Sequence, residues 1–544
     1  MTEFFQEAPG YSNRFESDRA LRGALEHFLG EDAFREAEGP LKQLGELASG
    51  DLLELQEAAE KSPPRHVPFD AWGRRVDVIE VHPSWLKLVD IGHEAGLVAV
   101  PYEQGFGAKA RILQAGLLHL FLPCTATADC PLGMTDAAVT VLNKHDSELA
   151  ATYIPKLTAR TEAWSAGQWM TEREGGSDVS RTSTKAVQDS DGAWRLTGTK
   201  WFTSAATSQI ALALARPEGV EEGSAGLSLF LVELHKADGS WNGIRVRRLK
   251  DKLGTRALPT AELELEGAVA VPVGGIGRGV AKIAPMLNVT RLHAALGANS
   301  YAGLGLSLSA SYAKRRVAYG RPLRELPVHR VWMAELGADY RAGLLLCLRA
   351  AELIGKSEHG DSSKLARLVV PLTKLAAARQ GVEITSHVLE SFGGAGYVED
   401  TGIPRLLRDV HVQCIWEGTT SVMALDVRRA LAKEGAGAEL VEDAKALISN
   451  PPAGTEGFAR RIEGALADLT SLMGSFEEAK SRVVAWGLAR TYQAALLFDA
   501  ARWGRAREDD SWLTALELFM NRPLVSPYPG SDDSALDRLA FESF

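Results

Sequence analysis

The chain has 544 residues, of which 45% are hydrophobic, 24% charged and 7% aromatic, and its formal net charge is −10. This composition is ordinary for a globular protein and excludes a disordered or fibrous chain, while the length predicts about three packed units. The acidic balance argues against nucleic-acid binding as the main role, because a phosphate-binding surface needs an excess of positive charge.

The sequence predicts neither secretion, nor a membrane span, nor a metal site. The amino terminus is acidic where a leader peptide is basic, and the most apolar run, 112–123, is interrupted by Gln114 and His119. The four cysteines, at positions 124, 130, 347 and 414, have no Cys-x-x-Cys spacing and no histidine cluster beside them. They indicate a reducing compartment, so we expect a cytoplasmic protein with no metal and no membrane partner.

Residues 1–161 predict an N-terminal helical domain, and residues 162–273 predict a β domain. Segments 84–98 and 135–153 show the 3.6-residue recurrence of amphipathic helices. Short apolar runs then follow at 194–197, 210–215, 227–232 and 261–265, separated by turn signals. This pattern predicts a small antiparallel sheet or barrel.

Residues 274–439 predict a helical bundle, and residues 440–544 predict an extra C-terminal helical module. Helical patterns cover 283–315, 329–354, 365–391 and 420–431, and after a glycine- and proline-containing stretch they resume at 458–473 and 479–503. The loop 274–279 reads GGxGxG, not GxGxxG, and lacks a βαβ context, so we interpret it as a connector between sheet and helix. The predicted fold class is α+β.

Glu417 is the candidate general base. It follows two large apolar residues, Ile415 and Trp416, and precedes Gly418. An apolar setting disfavours the charged carboxylate and suits a general base, although a solvated glutamate at a helix end capped by Gly418 fits the same local pattern.

Two upstream tracts suggest a cofactor site. In 168–179, small residues at 175–177 let backbone N–H groups approach an anion, and Ser177 adds a hydroxyl donor, although a plain turn is the simpler interpretation. In 198–204, an aromatic ring precedes hydroxyl residues, an arrangement that can stack on and hydrogen-bond an aromatic cofactor.

Together these tracts resemble the acyl-CoA dehydrogenase family. Its members carry Thr-Glu-x-x-x-Gly-Ser-Asp, then Gly-x-Lys-x-Trp-Ile-Thr, then Tyr-Glu-Gly-Thr, and related stretches occur here in that order at 171–178, 198–203 and 416–419. The resemblance covers about residues 80–432 and includes Lys-Leu-Gly-Thr-Arg at 252–256 and Phe-Gly-Gly-Ala-Gly-Tyr at 392–397. The added C-terminal module and the tryptophan before Glu417 look most like the AidB branch of the family.

The resemblance implies an acyl-CoA dehydrogenase-like fold, FAD as cofactor and a homotetramer with FAD sites shared between subunits. Carried over by motif position, the cofactor residues are Met170, Thr171, Gly176, Ser177, Phe202, Thr203, Ser204, Thr419 and Ser421, with Arg316, Glu390, Gly393 and Gly394 serving the FAD of a neighbouring subunit. Arg291 matches a family arginine beside the CoA channel, although a helix-surface cation explains it equally well.

The implied reaction is α,β-dehydrogenation of an acyl-CoA to the trans-2-enoyl-CoA, with Glu417 abstracting the α-proton and an electron-transfer flavoprotein as the electron acceptor. Two alternatives stay open: an acyl-CoA oxidase, and a weakly active or inactive flavoprotein that binds acyl-CoA or DNA in an alkylation or stress response. Residues 431–544 carry 12 Lys or Arg against 18 Asp or Glu, so DNA binding is not expected. The family pattern also departs at Asn288, at Leu326-Pro327 and at Glu390, where acidic, His-Gln and Gln residues are usual.

Overall fold

The computed structural model describes residues 7–473, 476–527 and 533–542, so part of the acidic amino terminus lies outside the described residues. The first region is mainly helical and carries one β-hairpin. Its elements are α1 (Arg14–Ser17), α2 (Arg19–Leu29), α3 (Glu31–Ala48), α4 (Asp51–Glu60), β1 (Arg65–Phe69), β2 (Arg75–Glu80), α5 (Pro83–Glu94), α6 (Ala110–Phe121), α7 (Asp129–His145) and α8 (Ser147–Leu157).

The hairpin formed by β1 and β2 is absent from the sequence prediction, which has only helices in this region. Its strands are short and contain one buried residue, so they show little of the alternation that reveals a half-buried strand. The hairpin contacts the central sheet domain: Arg75 Nη2 donates to the carbonyl of Val246 at 2.7 Å, and Trp241 Nε1 donates to the carbonyl of Asp77 at 3.2 Å.

The central region is a seven-stranded sheet that closes on itself. Its strands are β3 (Ala166–Trp169), β4 (Lys185–Gln188), β5 (Trp194–Ser204), β6 (Ile210–Pro217), β7 (Ser228–Glu233), β8 (Ile244–Leu249) and β9 (Thr260–Pro272). They are ordered β3-β6-β4-β5-β9-β7, β8 pairs with β9, and an additional β6–β7 pairing closes the ring. The barrel form of the prediction is therefore confirmed.

Most pairings in this sheet are antiparallel, as predicted, but β3 and β4 both run parallel to β6. β3 pairs with the first residues of β6, from Ile210 to Ala213, and β4 pairs with its last two, Arg216 and Pro217. Alternation of apolar residues reports which face is buried but not the direction of the partner strand. The two strands leave a gap along β6 from which residues 170–184 loop outward.

The third region is a bundle of long helices joined to a C-terminal helical module. Its elements are α9 (Gly279–Arg315), β10 (Val317–Ala318), β11 (Arg321–Pro322), α10 (Pro327–Glu358), α11 (Leu365–Ser391), α12 (Ile403–Val410), α13 (Thr420–Glu434), α14 (Ala436–Leu447), α15 (Glu456–Met473), α16 (Ser481–Arg505), α17 (Ser511–Met520) and α18 (Asp533–Asp537), followed by a π-helical turn at Arg538–Glu542. The predicted α+β fold with an N-terminal helical part, a β unit, a bundle and an added helical module is confirmed.

α16 belongs to the interior of this bundle. Its buried residues occur all around its circumference, and it packs against α10, α11, α13, α15 and α17. Gln380 of α11 and Gln493 of α16 face each other in the buried interface, and each amide donates to the other, at 3.3 and 2.9 Å. The C-terminal module therefore completes the core of the bundle.

Across the three described ranges, no helix combines the length and apolarity that crossing a membrane requires. In the same ranges, no group of three or more His, Cys, Asp or Glu side chains is placed to hold a metal ion.

Candidate active site

Glu417 lies in a short turn that leads into α13, and its backbone is left-handed. The φ of Glu417 is +58° and that of Gly418 is +109°. For a residue with a Cβ, the left-handed backbone conformation costs about 1–2 kcal/mol. A Cβ at Gly418 would lie 2.6 Å from Met423 Cε, so the turn needs glycine there. Thr419 then caps α13, because its hydroxyl accepts from the Val422 N–H at 3.4 Å.

The carboxylate of Glu417 is held by α9. Thr290 Oγ1 donates to Glu417 Oε2 at 2.7 Å, and the hydroxyl is positioned by the helix on which it is buried. Glu417 is half-buried, so one side of the carboxylate is packed and the other is open. This is an oriented acid, unlike the solvated helix-end glutamate of the simpler interpretation.

The carbonyls of the Glu417 turn accept from two buried cations. Arg291 Nε donates to the carbonyl of Glu417 at 3.4 Å, and Lys374 Nζ of α11 donates to the carbonyl of Gly418. Arg291 in turn pairs with Asp426 at 2.7 Å, and Asp426 also pairs with Arg367 at 2.6 Å. Burial works against the charge of Asp426, but the two arginines outweigh it and hold the pKa of Asp426 below its ordinary value.

Arg291 therefore is not a free surface cation, since it is 8% exposed and engaged with Asp426 and the Glu417 turn. This contact set gives it a structural role at the base. A contact between Arg291 and CoA stays a prediction.

The loop 170–184 begins where β3 ends, and it presents small residues to the exterior. Met170 is buried at its base, whereas Gly176 and Ser177 are exposed. A Cβ at Gly175 would lie 2.5 Å from the Asp178 carbonyl, so this turn requires glycine. A role for Gly176 and Ser177 in binding an anion stays a prediction.

A buried ion pair joins this loop to β5. Glu172 Oε1 and Lys200 Nζ are 2.6 Å apart, with side chains 2% and 0% exposed, and Lys200 also donates to the carbonyl of Leu214 at 2.7 Å. The other oxygen of Glu172 accepts from the Ser183 N–H at 2.7 Å. Burial works against the charge of Glu172, but Lys200 and the neighbouring donors outweigh it and lower the pKa of this carboxyl.

The end of β5 carries the aromatic and hydroxyl residues of the second tract. The pairing of β5 with β9 is irregular between Lys200 and Thr203, which exposes the Phe202 side chain to 55%. Thr203 Oγ1 donates to the carbonyl of Ala261 at 2.6 Å, and Ser204 Oγ lies 3.1 Å from Thr260 Oγ1. An exposed ring beside two oriented hydroxyls is suited to an aromatic ligand.

Cys130 is the second residue of α7, and its thiol is influenced by residues of the β5 end and of the Glu417 turn. Burial raises the pKa of the Cys130 thiol, the carboxylates of Asp129 and Glu417 raise it further, and a hydrogen bond with Ser204 opposes them. Glu417 and Ser204 therefore both act on the same thiol.

The remaining predicted residues lie elsewhere. Arg316 follows Arg291 by 25 positions along α9, which at about 1.5 Å per residue separates them by about 37 Å along the axis. Glu390 follows Lys374 by 16 positions in α11, about 24 Å by the same rise, and is exposed. Gly393 and Gly394 are exposed beside Glu390, and a Cβ at either would meet no atom within 4 Å.

Thr419 and Ser421 stay beside the base, on the exposed start of α13. The Ser421 hydroxyl accepts from Arg482 of α16 at 3.3 Å, which connects the C-terminal module to this end of the site. Of the predicted cofactor residues, Thr419 and Ser421 thus lie beside Glu417, and four, Arg316, Glu390, Gly393 and Gly394, lie far from it.

Sequence reasoning missed the residues that hold the site in place. Thr290, Lys374 and Asp426 were not singled out, and Glu172 and Lys200 were quoted within motifs without a role. Lys374 had a usable signal, because it is a lone charge inside the apolar run Val369-Val370-Pro371-Leu372-Thr373-Lys374-Leu375.

The comparisons with known proteins follow the same division of the chain. Three family models match in order: the adaptive response protein AidB N-terminal domain over residues 7–162, the acyl-CoA dehydrogenase middle domain over 167–268 and the acyl-CoA dehydrogenase C-terminal domain over 277–432.

Relatives match over most of their length. Acyl-CoA dehydrogenase family member 11 of Caenorhabditis elegans is 38% identical over 96% of this chain and 90% of its own, and the putative acyl-CoA dehydrogenase AidB of Escherichia coli is 32% identical over 73% and 75%. The crystal structure of Caenorhabditis elegans ACDH-11 in complex with C11-CoA superposes with a TM-score of 0.95 at 36% identity, covering 100% of this chain and 98% of that one. The chain belongs to the acyl-CoA dehydrogenase family of flavoprotein oxidoreductases, in its AidB-like branch.

Proposed function

We propose that the protein binds FAD and catalyses the α,β-dehydrogenation of an acyl-CoA thioester to the trans-2-enoyl-CoA. The observation that carries the proposal is the orientation of the Glu417 carboxylate, which accepts from Thr290 Oγ1 at 2.7 Å in the turn before α13. The acyl-CoA is supported by the C11-CoA complex of the 36%-identical relative.

The residues present fit FAD in three respects. The exposed backbone at Gly176 and Ser177 suits a diphosphate, and the exposed Phe202 ring suits an aromatic ring system. Gln168 Oε1 is buried and has no hydrogen-bond partner within the described part of the chain, so it offers an acceptor to a cofactor N–H. When bound, FAD supplies the acceptor for the substrate β-hydride.

The protein's own contribution is to orient the base and the thioester. The Glu417 carboxylate accepts the α-proton of the substrate, and Thr290 fixes the direction of that carboxylate through its hydrogen bond. In this proposal the cofactor is contacted by Met170, Thr171, Thr203 and Ser204. Withdrawal of the proton then leaves the electron pair from which the α,β double bond forms.

We propose further that a second copy of the chain completes the cofactor site. Arg316, Glu390, Gly393 and Gly394 are too far from Glu417 to serve the same site within one chain. Exposed apolar side chains lie close to these four residues or to the start of α10: Tyr319 (94%), Val328 (78%), Val331 (56%), Tyr397 (88%) and Val398 (50%). Such a patch is typical of an interface, and a homotetramer with shared sites accounts for it.

DNA binding through the C-terminal module is not favoured by the contacts of its dense basic tract, 502–507. Arg502 and Arg505 donate to the carbonyls of Ser449 and Ala453 at 2.8 and 2.9 Å, and Arg507 pairs with Glu26 at 3.5 Å. These guanidinium groups already have partners within the protein, whereas phosphate recognition needs free cations.

The test is anaerobic reduction of the bound flavin. Protein purified with FAD should lose its flavin absorbance on mixing with at least one member of an acyl-CoA chain-length panel, and Glu417→Gln should abolish the loss while FAD stays bound. Unchanged absorbance with every thioester would refute the proposed reaction. Repeating the reaction in air and measuring hydrogen peroxide distinguishes an oxidase from a dehydrogenase that needs an electron-transfer flavoprotein.

A further inference from the structure

The left-handed turn that carries Glu417 is held at the carbonyls of Glu417 and Gly418 by side-chain donors. The turn lies after the 3₁₀ turn His411–Cys414 and before the first residue of α13. The carbonyls of Glu417 and Gly418 instead accept from side chains of two different helices, Arg291 of α9 and Lys374 of α11. The conformation of the base is therefore set by contacts that are remote in the sequence.

Lys374 is an unusual residue for its position. Its side chain is 1% exposed on a helix whose neighbouring residues are apolar, and no carboxylate in the described ranges lies within ion-pair distance of it. The one hydrogen bond that its Nζ makes among the described residues goes to the carbonyl of Gly418. An apolar residue of similar length would fill the same space without the cost of burying an ammonium group.

The charged and titratable groups that face Lys374 all belong to the base and its surroundings. They are Cys414 and Glu417 in the segment before α13, and Arg291 on α9. Burial lowers the pKa of Lys374 to about 8, and the thiol of Cys414 and the carboxylate of Glu417 oppose this effect. The hydrogen bond to the Gly418 carbonyl is therefore the interaction that accounts for an ammonium group at this buried position.

We propose that Lys374 is a positioning residue, which holds the left-handed turn through the carbonyl of Gly418 and thereby directs the Glu417 carboxylate at the substrate. The kinetic test of this inference rests on the proposed dehydrogenation, whereas the hydrogen-exchange test does not. Lys374 itself touches neither the substrate nor the reacting atoms in this proposal. Its loss would leave the turn without one of its two cationic partners and allow Glu417 to move.

The test compares Lys374→Met with Thr373→Val in the full-length protein loaded with FAD. Methionine keeps the length and apolar stem of lysine but has no donor. Thr373 is the adjacent residue on α11 and is equally buried. Its Oγ1 donates to the carbonyl of Val369, in the same helix, at 2.7 Å. Thr373→Val is therefore a matched control for general loosening of α11.

Hydrogen exchange provides the readout that needs no turnover. We expect faster exchange in peptides covering 412–424 for Lys374→Met and unchanged exchange there for Thr373→Val. Equal exchange in the two variants would overturn the proposal. Because no substrate is present, this result is informative even if wild-type flavin is bleached by no acyl-CoA, in which case the proposed reaction fails and the role of Lys374 is still decided.

Kinetics provides the second readout. Lys374→Met should bleach about 10–100-fold more slowly, as misplaced catalytic groups do, with substrate affinity unchanged within about threefold. The isotope effect with α-deuterated substrate should rise, since proton abstraction becomes more limiting, and Lys374→Gln, which keeps an N–H donor, should recover part of the rate. A wild-type rate and isotope effect in Lys374→Met would contradict the proposal.

Discussion

Glu172 and Lys200 form a buried ion pair, 2.6 Å between Oε1 and Nζ, that ties the 170–184 loop to β5. The two residues belong to different motifs and are 28 positions apart in the sequence. The pair therefore fixes the 170–184 loop relative to the strand that carries Phe202, Thr203 and Ser204.

Breaking this pair should destabilise the protein more than replacing both partners. Glu172→Gln or Lys200→Met leaves one charge buried without its counterion, which typically costs about 3–5 kcal/mol. The double replacement Glu172→Met with Lys200→Met leaves no buried charge and should recover part of that loss. Denaturant unfolding measures the free energies, and a double variant less stable than both single variants would contradict this account.

Thr290→Val tests the hydrogen bond to the base directly. Valine preserves the shape of threonine but cannot donate to Glu417 Oε2, so the carboxylate loses its orienting contact. A hydrogen bond to a charged group is worth roughly 1.5–3 kcal/mol, so we expect anaerobic bleaching to slow by about 10-fold or more. Thr385→Val serves as a control, because Thr385 is buried in α11 and bonds to the Gly381 carbonyl, away from Glu417. Equal rates for the two variants would exclude an orienting role for Thr290.

Asp129, beside Cys130 at the start of α7, should make the stability of the protein depend on pH. Burial raises the pKa of Asp129 from 3.8 to about 7. The folded state therefore binds this proton more tightly than the unfolded state does, and the stability contributed by the protonated form is lost as pH rises from about 4 to about 7. Asp129→Asn removes the dependence and should be more stable than wild type at pH 8 by roughly 2–4 kcal/mol.

The measurement is the unfolding free energy of wild type and Asp129→Asn at pH 5, 6, 7 and 8. The difference between the two proteins should grow steadily with pH and level off above about pH 7. A difference that is constant across this range would show that Asp129 does not carry the effect.

The exposed apolar patch around Tyr397 predicts that assembly and cofactor retention are linked. Val328→Glu with Tyr397→Glu introduces two charges into the patch and should dissociate the oligomer, which light scattering coupled to size exclusion measures. If Arg316 and Glu390 serve the FAD of a neighbouring copy, the dissociated protein should also lose FAD. Charges at Phe69 and Trp72, which are exposed on the hairpin, provide the control and should leave both properties unchanged.

Much of the fold could be predicted because its bundle helices are long and rich in the helix formers Ala and Leu. The bundle helices at 283–315, 329–354, 365–391 and 420–431 fall within α9, α10, α11 and α13. The hairpin β1–β2 could not be predicted, because its strand residues are almost all exposed or half-buried and do not alternate between buried and exposed. The parallel pairing of β3 and β4 with β6 was likewise hidden, since it depends on which strands meet in space.

The site was predictable where chemistry lies in a contiguous tract and unpredictable where it depends on contacts between distant segments. Glu417 and the 168–179 tract were singled out from their local sequence, and their roles were predicted from the resemblance to the family. Thr290 and Lys374 act on Glu417 and Gly418 from 127 and 44 positions away, and no local pattern records such a distance. The assignment of FAD-binding roles to individual residues stays a prediction.

The burial of α16 has a consequence for synthesis of the chain. Helices α10, α11 and α13 are complete once residue 434 has been made, but the apolar faces that they turn toward α16 stay uncovered until Arg505 has left the ribosome. The Gln380 amide also lacks its partner Gln493 during that interval. The partly formed bundle therefore stays exposed while some 70 further residues are synthesised. We expect chaperones to bind the growing chain during that interval.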